Sequence, residues 1–109
     1  MSITDVTELT VFNELLTTHE YVIVKFSAEW CSPCKRIHPL YEQYSQDNKY
    51  SSICFVHVDV DHSRDICDKC KITAMPTFIL FKNNNEEKRF TGPKSETLLE
   101  VLNSCVNSQ

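Results

Sequence analysis

The fold of this sequence is decided by the stretch Trp30-Cys31-Ser32-Pro33-Cys34-Lys35. It follows residues 21–28, a run of β-branched and aromatic side chains with almost no polar alternation, as expected of a strand covered on both faces. Apolar residues then recur at helical spacing over residues 34–48, with Pro39 inside the segment as the expected position of a kink. The two cysteines are therefore predicted to lie where a buried strand passes into a helix.

This position has chemical consequences for the two thiols. Two cysteines three residues apart in a first helical turn lie within reach of a disulfide. The helix N-terminus presents unpaired N–H groups and the positive end of the helix dipole, which favour a thiolate on Cys31. Pro33 suits the first turn, where its missing N–H costs little. The pattern predicts an activated, half-exposed dithiol, although zinc sites use the same C-x-x-C spacing.

The rest of the chain predicts further helices and strands. Helices are predicted near residues 7–16, 63–71 and 95–106. Strands are predicted over residues 53–60, 77–82 and 87–91. The polar cluster at residues 83–87 separates the last two strands, and its asparagines can supply the positive φ angles of a hairpin turn. This order predicts an α/β fold, a mixed central β-sheet flanked by helices on both faces.

Composition limits the size and the class of the protein. The 109 residues have room for one domain, residues 1–109, and the 41% of hydrophobic residues suffice for an ordinary core. The net charge is −4 with no long run of one sign, which argues against a nucleic-acid partner and against a polybasic membrane surface. The single glycine excludes glycine-rich phosphate loops, which need several glycines.

Six cysteines are unusual for a chain of this length. Their share lies below the roughly 8–10% of small disulfide scaffolds. The first 20 residues contain no cationic segment followed by an apolar one, and no stretch approaches 18 apolar residues. We therefore expect a cytoplasmic protein without a membrane partner, whose cysteines are reduced, catalytic or metal-binding rather than structural disulfides.

Several motifs in the right order resemble the thioredoxin family. The family pattern WCGPCK is present as WCSPCK, after residues 22–28, which are similar to the second strand of the family. The other matches are Pro39 with the helix-kinking proline, Asp59-Val60-Asp61 with the end of the third strand, Ala74-Met75-Pro76-Thr77-Phe78 with the loop whose cis proline faces the dithiol, and Phe90-Thr91-Gly92 with the late glycine beside the docking groove. The resemblance covers nearly the whole chain and implies the thioredoxin fold.

The resemblance also implies an activity. Cys31 would be the attacking thiolate and Cys34 the resolving thiol of a protein-disulfide reductase, with Pro76 facing them. The surface that docks substrate would be lined by Trp30, Ser32, Pro33, Met75 and Gly92. The implied partners are disulfide-containing proteins and a thioredoxin reductase or similar NADPH-dependent electron donor. We expect a monomer without a tightly bound cofactor.

Two positions depart from the family pattern. Ser32 replaces the glycine between the cysteines, where the residue tunes the reduction potential of the dithiol. Lys25 stands where the family usually has a buried Asp that is associated with proton transfer beneath the resolving cysteine. His57 stands where a charged partner of that Asp is often found. Lys25 is therefore a candidate catalytic residue, either as an ammonium ion that attracts a Cys34 thiolate or as a neutral amine that accepts the Cys34 proton. The alternative is that it extends along the strand to solvent.

The remaining cysteines and histidines have plainer interpretations. Cys67 and Cys70 form a second C-x-x-C late in a short helix, where the dipole does not favour a thiolate. Packing is their expected role, and an auxiliary disulfide or a metal site are the alternatives. Core positions are expected for Cys54 and Cys105. Solvated side chains are expected for His19, His38 and His62.

Three functions stay open at this point. We favour a protein-disulfide reductase over a thioredoxin-like module that senses redox state or binds a partner with little turnover. The third is a four-cysteine metal protein. It is disfavoured because the segment between Cys34 and Cys67 is longer than the roughly 15–20 residues common between paired cysteines in zinc sites.

Overall fold

A computed structural model gives the structure of the protein and describes residues 2–107. The helices are α1 (Leu9–Thr18), α2 (Ser32–Ser45), α3 (Arg64–Cys70) and α4 (Ser95–Asn107), with a 3₁₀ turn at Asn48–Tyr50. The strands are β1 (Thr4–Asp5), β2 (Tyr21–Ser27), β3 (Ile53–Asp59), β4 (Thr77–Lys82) and β5 (Asn85–Thr91). Each predicted helix and strand is present within a few residues of its expected bounds. The strand β1 and the 3₁₀ turn were not predicted, because segments of two or three residues show no periodic pattern.

The sheet has the strand order β1-β3-β2-β4-β5. Strand β3 runs parallel to β1 and β2, whereas β4 runs antiparallel to β2 and β5, so the sheet is mixed as expected. Because β2 pairs on both edges and is covered on both faces, all seven of its residues are buried. The register pairs Lys25 with His57 across β2 and β3, which puts their side chains on the same face of the sheet.

Helices cover both faces of the sheet, as the α/β prediction requires. On one face Phe12 of α1 and Ile66 of α3 belong to the same buried cluster as Val24. On the other face Ile37 of α2 and Leu98 of α4 belong to a cluster with side chains of the opposite parity in the strands. None of the helices within residues 2–107 is long and apolar enough to cross a membrane.

The hairpin between β4 and β5 confirms the expected role of the asparagines. Asn83 and Asn84 form its two-residue loop with φ angles of 51° and 69°. A two-residue turn that follows the twist of the strands needs positive φ at both positions, and asparagine reaches this region at lower cost than most residues. The hairpin therefore forms without glycine.

Tyr41 fixes α2 to the sheet. Its ring is fully buried, with centroids 5.3 Å from the Phe55 ring and 5.6 Å from the Phe78 ring. Its hydroxyl donates to the carbonyl oxygens of Ile23 at 3.0 Å and Val56 at 2.7 Å. Burial raises the pKa of Tyr41 well above its usual value, so the hydroxyl stays a donor. Because Tyr41 lies about two turns after the start of α2, this contact also fixes the cysteines that begin the helix.

We expect Tyr41→Phe to lower the free energy of unfolding by about 1–3 kcal/mol, because two buried carbonyl groups lose the donor that they share. Urea denaturation at pH 7 measures the change. The matched control is Tyr44→Phe, a half-buried tyrosine of the same helix, for which a change within about 0.5 kcal/mol is expected. Equal losses in the two variants would show that the Tyr41 hydroxyl does not anchor the helix.

Candidate active site

Cys31 and Cys34 meet at the N-terminus of α2, where they form a disulfide with Cα atoms 5.3 Å apart. Cys31 is the N-cap residue of the helix, and the backbone N–H of Cys34 donates to Cys31 Sγ at 3.2 Å. Pro33 lies in the first turn. The helix start thus directs a backbone donor and the positive end of its dipole at one sulfur, which would stabilise a thiolate on Cys31 after reduction.

The expectation of a half-exposed dithiol is wrong for this oxidised form. Cys31 is only 5% exposed and Cys34 only 2% exposed. The reason is a small apolar cluster in which Ala28, Val60 and Met75 pack against the two sulfur-bearing residues. The C-x-x-C motif could not predict the burial of the two cysteines, because Ala28, Val60 and Met75 come from three different segments of the chain.

Trp30 lies beside the disulfide as an exposed aromatic residue. It is 65% exposed, and its Nε1–H donates to the Asp61 carboxylate at 2.9 Å. Trp30 therefore does not belong to the core. The hydrogen bond to Asp61 holds the ring at the surface.

The other residues expected on the docking surface surround the disulfide. Met75 packs against the disulfide, and the Met75–Pro76 bond is cis, as the family resemblance implied. The backbone N–H of Gly92, with φ of 95°, donates to the Pro76 carbonyl at 2.9 Å and joins the two loops. Ser32 is exposed and Pro33 is half-buried in the first turn of α2. The fold thus brings the three predicted segments together.

A cavity of about 340 Å³ lies on the Cys34 side of the disulfide. Cys34 lines the cavity, and most of the other lining side chains are polar. These are Lys25 and Ser27 of β2, Glu29, Lys35 and His38 of α2, and His57 and Asp59 of β3. Cys34, which has almost no contact with bulk solvent, therefore lines the same cavity as several groups that carry charge or move protons.

Lys25 is buried in the wall of this cavity. It is 2% exposed, so the alternative in which it extends to solvent is wrong. Its Nζ lies 2.8 Å from His38 Nδ1 and 6.0 Å from the centroid of the Tyr41 ring. Loss of solvation on burial lowers the pKa of Lys25 to about 8. Lys25 is therefore mostly an ammonium ion at neutral pH but loses its proton far more readily than an exposed lysine.

His38 is the functional candidate that sequence reasoning missed. The expectation of a solvated side chain is wrong for His38, which is half-buried and bonded to Lys25. Its neighbours in sequence are polar, but it lies four residues after Cys34, and this i, i+4 spacing on one helical face was the available signal. Burial, followed by the charges of Lys25 and His57, lowers the pKa of His38. The expectation of exposure is confirmed for His19 and His62.

His57 takes part in a different set of hydrogen bonds. Its Nε2 lies 2.6 Å from Ser27 Oγ, and its Nδ1 lies 2.9 Å from Asp5 Oδ1. Its ring also meets the His38 ring edge-on at 5.9 Å between centroids. Since a carboxylate can only accept, His57 Nδ1 carries the hydrogen in that bond. Both ring nitrogens of His57 are engaged with Ser27 and Asp5.

The second C-x-x-C packs in the core. Cys67 and Cys70 are buried thiols in the cluster that α1 and α3 form against the sheet. Burial raises the pKa of both, and that of Cys70 to about 11, so at neutral pH they are protonated and weakly nucleophilic. Cys105 is buried in the opposite cluster, while Cys54 is only half-buried. No three His, Cys, Asp or Glu side chains within residues 2–107 are grouped in a way that could hold a metal ion.

Comparison with known proteins decides the family. The Thioredoxin family model matches residues 3–104. This chain belongs to the thioredoxin family. It is 39% identical to human thioredoxin over 99 residues, which cover 89% of this chain and 92% of that protein. A solved structure of Plasmodium falciparum thioredoxin is 38% identical, covers 93% of this chain and 97% of its own, and superposes with a TM-score of 0.88. The structure of Malassezia sympodialis thioredoxin is 30% identical, and the match covers 94% of this chain and 90% of that one with a TM-score of 0.90.

Family membership and the Cys31–Cys34 disulfide together establish the activity. The protein is a thiol-disulfide oxidoreductase that reduces protein disulfides by dithiol-disulfide exchange, and a reductase partner returns it to the dithiol. Of the three functions left open by the sequence, this is the first, and the thioredoxin fold expected from the resemblance is confirmed.

Lys25 should make the stability of the fold depend on pH. Its pKa falls from the usual 10.5 to about 8 on folding, so the unfolded chain binds more protons between these two values and stability rises with pH across that window. Relative to Lys25→Met, the free energy of unfolding of the wild type should rise by up to about 3 kcal/mol between pH 7 and pH 10.5.

Urea denaturation of the oxidised proteins at several pH values provides the measurement. The matched control is Lys35→Met, which removes an exposed lysine from the same cavity. The difference curve for this control should be nearly flat. Equal slopes for the two variants would mean that the Lys25 ammonium is not desolvated on folding.

Proposed function

We propose that Cys31 is the attacking sulfur and Cys34 the resolving sulfur, and that an NADPH-dependent reductase recycles the disulfide. The observation that carries this assignment is the backbone N–H of Cys34, which is directed at Cys31 Sγ from the helix N-terminus. Both cysteines are buried in the oxidised form, but of the two it is Cys34 that lines the cavity containing Lys25. The helix N-terminus thus stabilises Cys31 as a nucleophile, while Cys34 faces the cavity.

Reduction of a substrate takes two exchanges. The Cys31 thiolate attacks one sulfur of the substrate disulfide, forms a mixed disulfide, and releases the other substrate sulfur as a thiolate. Cys34 then loses its proton and attacks Cys31 Sγ, so that the Cys31–Cys34 bond forms while the second substrate sulfur leaves with the electron pair of the broken bond. Both substrate thiolates take protons from solvent. Two electrons pass to the substrate, and NADPH replaces them through the reductase.

We assign substrate docking to the surface around the disulfide. Its members are Trp30, Ser32, Pro33, Met75, Pro76 and Gly92. Trp30 supports the assignment, because an exposed large aromatic side chain beside a reactive sulfur is typical of a binding surface. Met75 also supports it by its contact with the disulfide, and Gly92 by its hydrogen bond to Pro76.

We propose that Lys25 promotes ionisation of Cys34, the resolving cysteine. A buried ammonium ion in the wall of the cavity favours a thiolate on Cys34 over the thiol. Stabilising the reduced dithiol in this way makes the disulfide a stronger oxidant. The support is the burial of Lys25 and its place in the same cavity wall as Cys34.

We propose that the protein transfers electrons as a cytoplasmic monomer. Cys54, Cys67 and Cys70 are thiols rather than disulfides, which suits a reducing compartment. Within residues 2–107 the large hydrophobic side chains that are exposed are Val11 and Trp30. Two such residues are few for the apolar centre of an obligate dimer interface.

Cys34→Ser should trap protein substrates as stable mixed disulfides on Cys31, because no resolving thiol remains. Cys31→Ser is the matched control and should trap almost none. Incubation with an oxidised model protein, followed by non-reducing electrophoresis and mass spectrometry of the linked cysteine, measures the difference. Equal trapping by both variants would contradict the two assigned roles, and stronger trapping by Cys31→Ser would exchange them.

Recycling is tested by turnover. With insulin as the disulfide substrate, NADPH and a thioredoxin reductase should give continuous NADPH oxidation that depends on the wild-type protein. Cys31→Ser should reduce this rate to background, whereas Cys54→Ser, a change outside the site, should leave it near the wild-type rate. A wild-type protein that reduces one equivalent of substrate and then stops would rule out the proposed electron donor.

A further inference from the structure

We infer that His38 is a positioning residue that holds Lys25 as an ammonium ion in the cavity that Cys34 lines, and so promotes the resolving step. The inference rests on the proposed resolving role of Cys34. His38 is not one of the reacting groups in the established exchange. It would act on Cys34 by keeping Lys25 charged.

The placement of Lys25 creates the need for a partner. Lys25 lies near the middle of β2 with β3 on one edge and β4 on the other, and only 2% of it is exposed. A buried ammonium ion without a hydrogen-bond acceptor is costly. His38 Nδ1 lies 2.8 Å from Lys25 Nζ and provides one. The ring nitrogens of the nearby His57 are engaged with Ser27 and Asp5.

The direction of this hydrogen bond follows from charge. Two nitrogen atoms at 2.8 Å share one hydrogen, so only one of them can donate. Burial and the charge of Lys25 both lower the pKa of His38, which keeps its imidazole neutral at neutral pH. His38 therefore carries its own hydrogen on Nε2 and accepts from Lys25 through Nδ1. An acceptor at this distance favours the charged form of Lys25 and opposes the effect of burial.

The pair acts where Cys34 must lose a proton. Cys34 and His38 are four residues apart on one face of α2, and both line the cavity with Lys25. In the resolving step the Cys34 proton leaves through the cavity to solvent, and the thiolate electron pair forms the bond to Cys31 Sγ. The substrate sulfur leaves with the pair of the broken bond and takes a proton from solvent. A charged Lys25 stabilises the Cys34 thiolate in this step, whereas a neutral Lys25 does not.

Other ionisable groups lie around this pair. They are Cys34, Lys35, Tyr41 and Glu42 of α2, His57 and Asp59 of β3, Glu29 before α2, and Asp5 of β1. The carboxylates of Glu42 and Asp5 raise the pKa of His38, while burial, Lys25 and His57 lower it. A test must therefore change His38 alone and leave this surrounding charge in place.

Two variants separate the acceptor from the ring. His38→Phe keeps an aromatic ring but has no acceptor, and His38→Gln keeps an acceptor without the ring. The pKa of Lys25 in the oxidised protein is read from NMR titration of its ε-carbon. We expect it to fall by about one unit from its wild-type value in His38→Phe, equivalent to about 1.4 kcal/mol. It should stay near the wild-type value in His38→Gln.

The second readout is the rate at which product leaves a preformed mixed disulfide on Cys31. At a pH equal to the wild-type pKa of Lys25, a fall of about one unit in His38→Phe should lower the charged fraction of Lys25 from about one half to about one tenth, which slows the release by up to about fivefold. His38→Gln should restore most of the rate. If His38→Phe does not fold, as judged by circular dichroism, His38→Leu makes the same comparison.

The outcomes separate this inference from the function on which it rests. An unchanged Lys25 pKa and an unchanged release rate in His38→Phe, with normal release by the wild type, would overturn the role of His38 and leave the function intact. Failure of the wild-type protein to release product would overturn the resolving role of Cys34. In that case the Lys25 titration still decides whether His38 holds the ammonium ion.

Discussion

The burial of β2 along its whole length is the constraint on which this structure depends. A central strand that is covered on both faces must find a partner inside the protein for every polar atom that it carries. The carbonyl of Ile23 therefore accepts from Tyr41, Ser27 bonds to His57, and Lys25 bonds to His38. Two of these three contacts attach α2, the helix that begins at the cysteines, to the strand that precedes them.

The same strand gives the two sulfurs different surroundings. Its C-terminal end leads directly to the N-cap of α2, where Cys31 receives a backbone donor. One turn into the helix, Cys34 turns toward a cavity whose wall includes the buried Lys25. A dithiol needs such an asymmetry, because one sulfur must attack readily while the other waits for the mixed disulfide. The proposed roles use this difference: the helix terminus directs a donor at Cys31, and Cys34 lines the cavity that holds the buried Lys25.

The sequence predicted the parts of the site that local chain geometry controls. The C-x-x-C spacing after a buried strand placed the disulfide at a helix N-terminus, and Asn83 and Asn84 indicated their own turn. It failed for His38, whose polar neighbours suggested solvent, and for the exposure of the dithiol. Both errors arise because burial depends on segments that are distant in sequence. Lys25 of β2 bonds to His38 of α2, and Met75 packs against the disulfide.

The sequence by itself determined the fold and the redox chemistry, since periodicity, the placement of Cys31 and Cys34, and the family motifs are all properties of short segments. The tertiary structure decided the electrostatics. A lysine in an apolar strand can extend to solvent or remain inside, and the choice depends on whether α2 supplies an acceptor at the right depth. Packing of α2 on the sheet supplies it at His38, 2.8 Å from the Lys25 ammonium. Burial lowers the pKa of Lys25 to about 8, and in the proposal made above the contact with His38 favours its charged form in the cavity that Cys34 lines.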